Sequence, residues 1–96
     1  CYVDNVVSAN ILAANHTDKL SGRCFNVACG DRISNNQILD FFLEKFSDIK
    51  IELAPFRPGD VMHTHADLSD TTEVLGYKPV VKFWKGLNET FKWWKI

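Results

Sequence analysis

A four-residue turn carries the side chains best suited to bind a phosphorylated ligand. Arg57-Pro58-Gly59-Asp60 favours a type II turn, because Pro58 presets the backbone at the first corner and Gly59 supplies the positive φ needed at the second. Arg57 and Asp60 then lie close together. A fixed guanidinium can bind phosphate oxygens in a forked manner, while the neighbouring carboxylate accepts hydrogen bonds from ribose hydroxyls. The turn therefore predicts a nucleoside diphosphate site, and a surface turn with a local ion pair is the simpler alternative.

Two histidines and an aspartate alternate shortly after this turn. In a strand, His63, His65 and Asp67 would point to one face, which is how some metal sites begin. No further group of ligands follows in the sequence, and exposed strand faces often carry histidine. We therefore expect no metal site at these residues.

Composition excludes several classes of function. The 96 residues, 46% of them apolar, suit one globular unit or part of one. A formal net charge of -1 gives no basic field for a phosphodiester backbone, so nucleic acid is not an expected partner. The apolar runs are far shorter than the roughly 20 residues of a membrane-spanning helix. Three cysteines without a Cys-x-x-Cys pair predict neither a disulfide framework nor a zinc ribbon, and they favour the cytoplasm.

The elements that position these residues can be read from periodicity and capping signals. Asp4 precedes Val7, Ile11 and Ala14 at helical spacing, which predicts a helix of about three turns with Asp4 as its cap. Alternating residues over 23–28 predict a short strand, with Phe25 and Val27 on one side.

A second helix is predicted over 35–46 and a strand over 50–53. Ser34 and Gln37 have the spacing of a capping box, in which each side chain binds the other's backbone amide. The buried side of this helix is expected to consist of Ile38, Leu39, Phe42, Leu43 and Phe46.

Two further helices complete the prediction. A short helix capped by Ser69 should end at Gly76 in the left-handed conformation, with Val74 and Leu75 in the core. A last helix over 82–95 should lack a good N-cap, and Gly86 within it should allow the close approach of a neighbouring element. Its buried stripe is expected to be Phe83, Leu87, Phe91 and Trp94, with Trp93 more exposed.

Several short motifs follow one another in a recognisable order. They are Tyr2-Val3-Asp4-Asn5-Val6-Val7, Phe25-Asn26-Val27-Ala28-Cys29-Gly30-Asp31, Arg57-Pro58-Gly59-Asp60-Val61, Ala66-Asp67, Leu75-Gly76-Tyr77-Lys78-Pro79 and Gly86-Leu87. This order resembles the extended short-chain dehydrogenase/reductase family, which includes NAD-dependent epimerases and dehydratases. Within it, the chain is most similar to UDP-N-acetylglucosamine 4-epimerases, through the stretches from Cys1 to Asn5 and from Phe25 to Gln37. The match covers essentially all of the chain.

The resemblance implies an α/β fold. The chain would be the C-terminal substrate-binding region of an extended Rossmann-type epimerase, with short strands and about four helices. Residues 1–33 would pack on a Rossmann domain outside these 96 residues, and residues 34–96 would form a substrate-binding lobe.

The resemblance also implies roles for five residues in substrate binding and for none in catalysis. Arg57 is similar to the family arginine that contacts the substrate diphosphate, and Asp60 to the acidic residue that holds the nucleotide ribose. Thr64 lies where family members set the space around the sugar, and its small side chain implies an N-acetylated hexosamine. Asn26 and Arg32 match positions near the nucleotide, although Asn26 could equally bind backbone and Arg32 could face solvent.

The implied function is substrate binding within an NAD-dependent UDP-sugar 4-epimerase that interconverts UDP-GlcNAc and UDP-GalNAc. The sequence has neither the glycine-rich NAD motif nor the family's Tyr-x-x-x-Lys pair, so the chain alone should not bind NAD or turn over sugar. NAD binding and homodimer formation would belong to the N-terminal domain of a full-length parent. The alternatives are another nucleotide-sugar dehydratase, decarboxylase or reductase of the family, or a non-catalytic nucleotide-binding module.

Overall fold

The computed structural model describes all 96 residues and contains four helices and no β-strand. Helix α1 spans Val3–Ala14, α2 spans Asn35–Lys45, α3 spans Ser69–Leu75 and α4 spans Phe83–Trp94. The predicted α/β fold is therefore wrong for this chain, whose regular structure is entirely helical. The chain forms two compact units, the first made of Cys1–Asp31 with His65–Ile96 and the second of Arg32–Thr64. No helix has the length and apolar character needed to cross a membrane.

The predicted strand over 23–28 does not form, because no second strand lies beside it to complete a ladder. Side chains of the same unit bind its carbonyl groups instead. Thr71 Oγ1 donates to the Asn26 carbonyl at 2.6 Å, and Tyr77 Oη donates to the Ala28 carbonyl at 2.7 Å. His65 Nε2 lies 3.3 Å from the Gly30 carbonyl. Donors on every second carbonyl thus take the place of a neighbouring strand along one edge. The alternation itself was predicted correctly, since Phe25 and Val27 pack against the core.

The core of the first unit forms where α1 and α3 meet this segment. Ala9, Leu75 and Tyr77 are buried together, and partly buried apolar residues, Val74 among them, surround them. The placement of Val74 and Leu75 in the core is confirmed. Burial, with a smaller contribution from the nearby Cys29, raises the pKa of the Tyr77 hydroxyl, because a buried phenolate would be poorly solvated.

Helix α1 turns a different face to the core from the one that its apolar spacing indicates. Val7 and Ile11 are 48% and 55% exposed, whereas Asn5 and Ala9 are buried. The N-cap is Tyr2, so Asp4 lies within the first turn and is not the cap that was predicted. A carboxylate in the first turn still interacts favourably with the positive end of the helix.

Asn5 is fully buried and ties α1 to the segment that precedes α4. Its Oδ1 accepts hydrogen bonds from the backbone amides of Val80 and Val81 at 2.8 and 2.9 Å, and its Nδ2 donates to the Val81 carbonyl at 2.8 Å. A buried amide without partners would be destabilising, so these bonds specify how the two segments pack.

Helix α4 approaches the start of α1 at Gly86, as predicted. A Cβ atom at this position would lie 2.5 Å from Tyr2 Cβ, so only glycine fits without a shift. Lys82 is the N-cap and provides no side-chain hydrogen bond, which confirms the expected weak start of the helix. The prediction for the helix end was only half right, because Trp93 and Trp94 are both exposed, at 74% and 64%.

The second unit is built around α2, whose N-terminus was predicted correctly. Gln37 donates its backbone amide to Ser34 Oγ at 3.2 Å, and the Ser34 amide donates to Gln37 Oε1 at 2.8 Å. No residue of Arg32–Thr64 is buried, and the apolar side of α2 is at most half-buried. The predicted strand over 50–53 is irregular and exposed, because no partner strand exists in the chain.

Helix α3 ends as predicted and begins differently. Gly76 closes it with a φ of 68°, the left-handed conformation expected of a C-terminal glycine. Ser69 is its first helical residue instead of its cap. Asp67 Oδ1 accepts from the Ser69 backbone amide at 2.9 Å and so helps to satisfy the free amides of the first turn.

Candidate functional site

The turn at residues 57–60 has the geometry that its sequence predicts. The Asp60 amide donates to the Arg57 carbonyl at 3.2 Å, and Gly59 adopts a φ of 89°. Arg57 Nε lies 3.5 Å from Asp60 Oδ2, and the Arg57 side chain is 85% exposed. This contact leaves the two terminal nitrogens of the guanidinium without a protein partner. They can donate together to the oxygens of a phosphate group, while Asp60 offers a carboxylate to neighbouring hydroxyls.

A hollow of about 650 Å³ lies in the same unit, between the start of α2 and the residues that follow the turn. It is lined by Arg32, Ile33, Ser34, Asn35, Asn36, Gln37, Val61, Met62, His63 and Thr64. The structure thus brings Arg32 and Thr64 to one hollow. Arg57 and Asp60 do not line it; they pair with each other on the turn. Its volume is in the range of small-molecule sites.

His63 also lines this hollow, and the sequence did not identify it as a binding residue. Its Nδ1 lies 2.9 Å from Arg32 Nη2, although the two residues are 31 positions apart. The sequence pattern indicated His63 only as one of two alternating histidines. Its position next to Thr64 was the local signal that it belongs with the predicted sugar-binding residue.

Asn26 lies in the first unit, whereas the other four predicted residues lie in the second. Its Nδ2 donates to the backbone carbonyl of Asp67 at 3.2 Å. This backbone contact is the alternative that the sequence left open. A role for Asn26 near a nucleotide stays a prediction.

His65 and Asp67 line a separate hollow of the first unit, of about 620 Å³. Hydrogen bonds from the Ser69 hydroxyl and the Ser69 amide lower the pKa of Asp67, and the nearby His65 adds to this effect. Asp67 therefore serves the start of α3 as an ionised acceptor. Residues 63–67 do not form a strand, and His63 and His65 contact different partners, the Arg32 side chain and the Gly30 carbonyl. No group of three or more His, Cys, Asp or Glu residues is placed to hold a metal ion.

Comparison with known proteins shows a similarity over part of the chain. An uncharacterized protein of Methanocaldococcus jannaschii is 37% identical over 57 residues, which are 59% of this chain. The match spans 17% of that relative's length, so the relative is more than three times as long as this chain. Its name assigns no activity. No protein-family model matches the chain. No solved structure matches it.

Proposed function

We propose that this chain supplies UDP-sugar-binding residues to an NAD-dependent UDP-sugar 4-epimerase of the cytoplasm, acting on UDP-GlcNAc and UDP-GalNAc. Arg57 and Asp60 support the proposal most directly. Their turn holds a guanidinium and a carboxylate 3.5 Å apart, and the terminal guanidinium nitrogens are free. In this role, Arg57 donates to the diphosphate and Asp60 accepts from the ribose hydroxyls.

The chain's contribution is binding at the unreacting end of the substrate. Contacts to the diphosphate and ribose hold the sugar in the orientation that its reaction needs, because binding energy from remote groups positions the reacting centre. Thr64, in the hollow of the second unit, is proposed to leave space for an N-acetyl group. No residue of the chain acts on the sugar ring itself in this proposal.

The residues of this chain do not fit NAD. A dinucleotide pyrophosphate requires a glycine-rich turn that leads from a strand into a helix. The glycines with positive φ are Gly22, Gly30, Gly59 and Gly76, which are spread along the chain and not grouped before a helix. NAD and the proton-transferring groups would therefore come from outside these residues.

The decisive variant is Arg57→Ala in the intact protein that contains this chain. Loss of the guanidinium should weaken UDP binding by about 1.5 to 3 kcal/mol, the range for hydrogen bonds to charged groups. Isothermal titration calorimetry with UDP measures this change. Arg23→Ala is the matched control, because Arg23 is also an exposed arginine but pairs with Asp70 at 2.7 Å in the first unit. Unchanged UDP affinity in the Arg57 variant would show that Arg57 does not bind UDP. It would thereby contradict the proposed function.

An assay of product formation with the same protein distinguishes the epimerase from the alternative functions. Incubation with UDP-GlcNAc should yield UDP-GalNAc. Another product would indicate a dehydratase, decarboxylase or reductase. UDP binding through Arg57 without turnover would indicate a binding module.

A further inference from the structure

The contact between Arg32 and His63 fixes which imidazole nitrogen carries hydrogen. A guanidinium has only donors and stays protonated, so Arg32 Nη2 donates across the 2.9 Å to His63 Nδ1. The lone pair of Nδ1 is then occupied as an acceptor, and the imidazole hydrogen lies on Nε2. His63 in this state offers one N–H donor at the opposite corner of the ring.

The hollow that contains this pair is suited to an anion. Its lining includes one charged side chain, that of Arg32, and no Asp or Glu. The hydroxyl of Ser34 and the amide oxygen of Gln37 are engaged by backbone amides, so they do not face a ligand as free acceptors. An oxyanion entering the hollow therefore meets a cation and an N–H donor, with no carboxylate to repel it.

We propose that His63 is a phosphate-binding residue that acts with Arg32 in this hollow. His63 Nε2–H donates to one phosphate oxygen, while Nδ1 holds the guanidinium in place, so that its remaining N–H groups can donate to other oxygens of the diphosphate. Orientation by His63 lowers the entropic cost of fixing the long Arg32 side chain when the ligand binds. The inference deepens the proposed function and rests on it only for the source of the phosphate, the diphosphate of a UDP-sugar.

Two substitutions of His63 separate its two contacts. His63→Asn keeps an oxygen acceptor near the position of Nδ1 and can still hold Arg32, but it has no donor near the position of Nε2. His63→Gln extends an amide N–H towards the position of Nε2. His63→Ala removes both contacts. His65→Ala is the matched control, because His65 faces the Gly30 carbonyl in the other unit.

Binding is measured by calorimetry on the intact protein with UDP, inorganic phosphate and uridine as separate probes. His63→Ala should weaken UDP binding about tenfold or more, the effect of one lost hydrogen bond to a charged group. His63→Gln should recover part of this loss, and His65→Ala should bind UDP as the unchanged protein does. Uridine has no phosphate, so its affinity should be the same in the unchanged protein and in all four variants. Unchanged UDP affinity in His63→Ala overturns the inference, as does an equal loss of uridine affinity.

Nitrogen NMR of protein labelled with 15N-histidine tests the tautomer separately. The His63 resonances, assigned by their loss in His63→Gln, should show hydrogen on Nε2 and none on Nδ1, and the Nε2 signal should shift on addition of UDP. Hydrogen on Nδ1 in the neutral ring overturns the inference.

The binding data also distinguish the inference from the proposed function. If Arg57→Ala weakens UDP binding and His63→Ala does not, the proposed function stands and the role of His63 falls. If His63→Ala weakens the binding of inorganic phosphate while Arg57→Ala binds UDP normally, the phosphate site is supported and the proposed function is not.

Discussion

Thr64 is the side chain that we propose to influence the choice of sugar through its size. It lines the hollow of the second unit beside His63, and it is exposed there. A short side chain at this position leaves volume for a substituent on the ligand. A long aromatic one would occupy that volume.

Thr64→Tyr should therefore reduce the preference for the N-acetylated sugar. We expect the ratio of kcat/KM for UDP-GlcNAc to that for the plain UDP-hexose to fall about tenfold or more, since steric differences in a pocket are worth a factor of this size. Thr64→Ser is the control and should keep the original ratio. Equal ratios in the Tyr variant and the unchanged protein would end the assignment of Thr64.

At the residue scale, the sequence predicts contacts between residues that are only a few positions apart along the chain. The Arg57–Asp60 pair follows from the turn between the two residues, so its closeness was predictable. The Arg32–His63 contact joins positions 31 apart, and the bond from Asn26 to Asp67 spans 41. Only the fold brings such residues together, so no local pattern could have identified these partners.

The helices of this chain differ in how far local signals determine them. The start of α2 and the end of α3 were predictable because a capping box and a left-handed glycine act within one turn. Local signals do not determine a strand in the same way, because its backbone hydrogen bonds need a partner strand. Residues 23–28 have no partner strand. The prediction of the buried face of α1 was wrong because that face contains a buried polar residue, Asn5, and not an apolar stripe.

Gly86 offers a test of the packing between α4 and the start of α1. Alanine favours helix formation by about 1 kcal/mol over glycine, but its Cβ would lie 2.5 Å from Tyr2 Cβ. Overpacking of this kind typically costs about 1 to 3 kcal/mol, so we expect Gly86→Ala to lower the free energy of unfolding despite the better propensity. Urea denaturation followed by circular dichroism measures this change.

Lys85→Ala provides the comparison for the Gly86 variant, because Lys85 is an exposed residue of the same helix. Its denaturation midpoint should stay close to that of the unchanged protein. A Gly86→Ala protein more stable than the unchanged one would mean that Tyr2 moves aside at no cost.

The two units of the molecule differ in how much of their surface is removed from water. The first contains a buried cluster around Ala9, Leu75 and Tyr77, together with the buried hydrogen bonds of Asn5. The second, Arg32–Thr64, has no buried residue. Local opening of the second unit therefore exposes little additional apolar area and should require less free energy.

Amide hydrogen exchange should reveal this difference. We expect the amides of α2 to exchange faster than those of the middle of α1, and UDP to slow exchange in α2 because a ligand stabilises the state that binds it. Exchange in α1, measured in the same spectra, is the internal reference. Equal protection of the two helices without ligand would contradict the expectation.

The carbonyls of Asn26, Ala28 and Gly30 are not available to a second copy of the chain, because side chains of the same unit donate to them. A run of free carbonyls along one edge is a template on which the backbone of a second chain can pair, and such pairing leads to aggregation. Thr71, Tyr77 and His65 occupy these acceptors. Thr71 and Tyr77 are buried, so substituting either would leave a carbonyl of this segment without its donor inside the unit, which is destabilising.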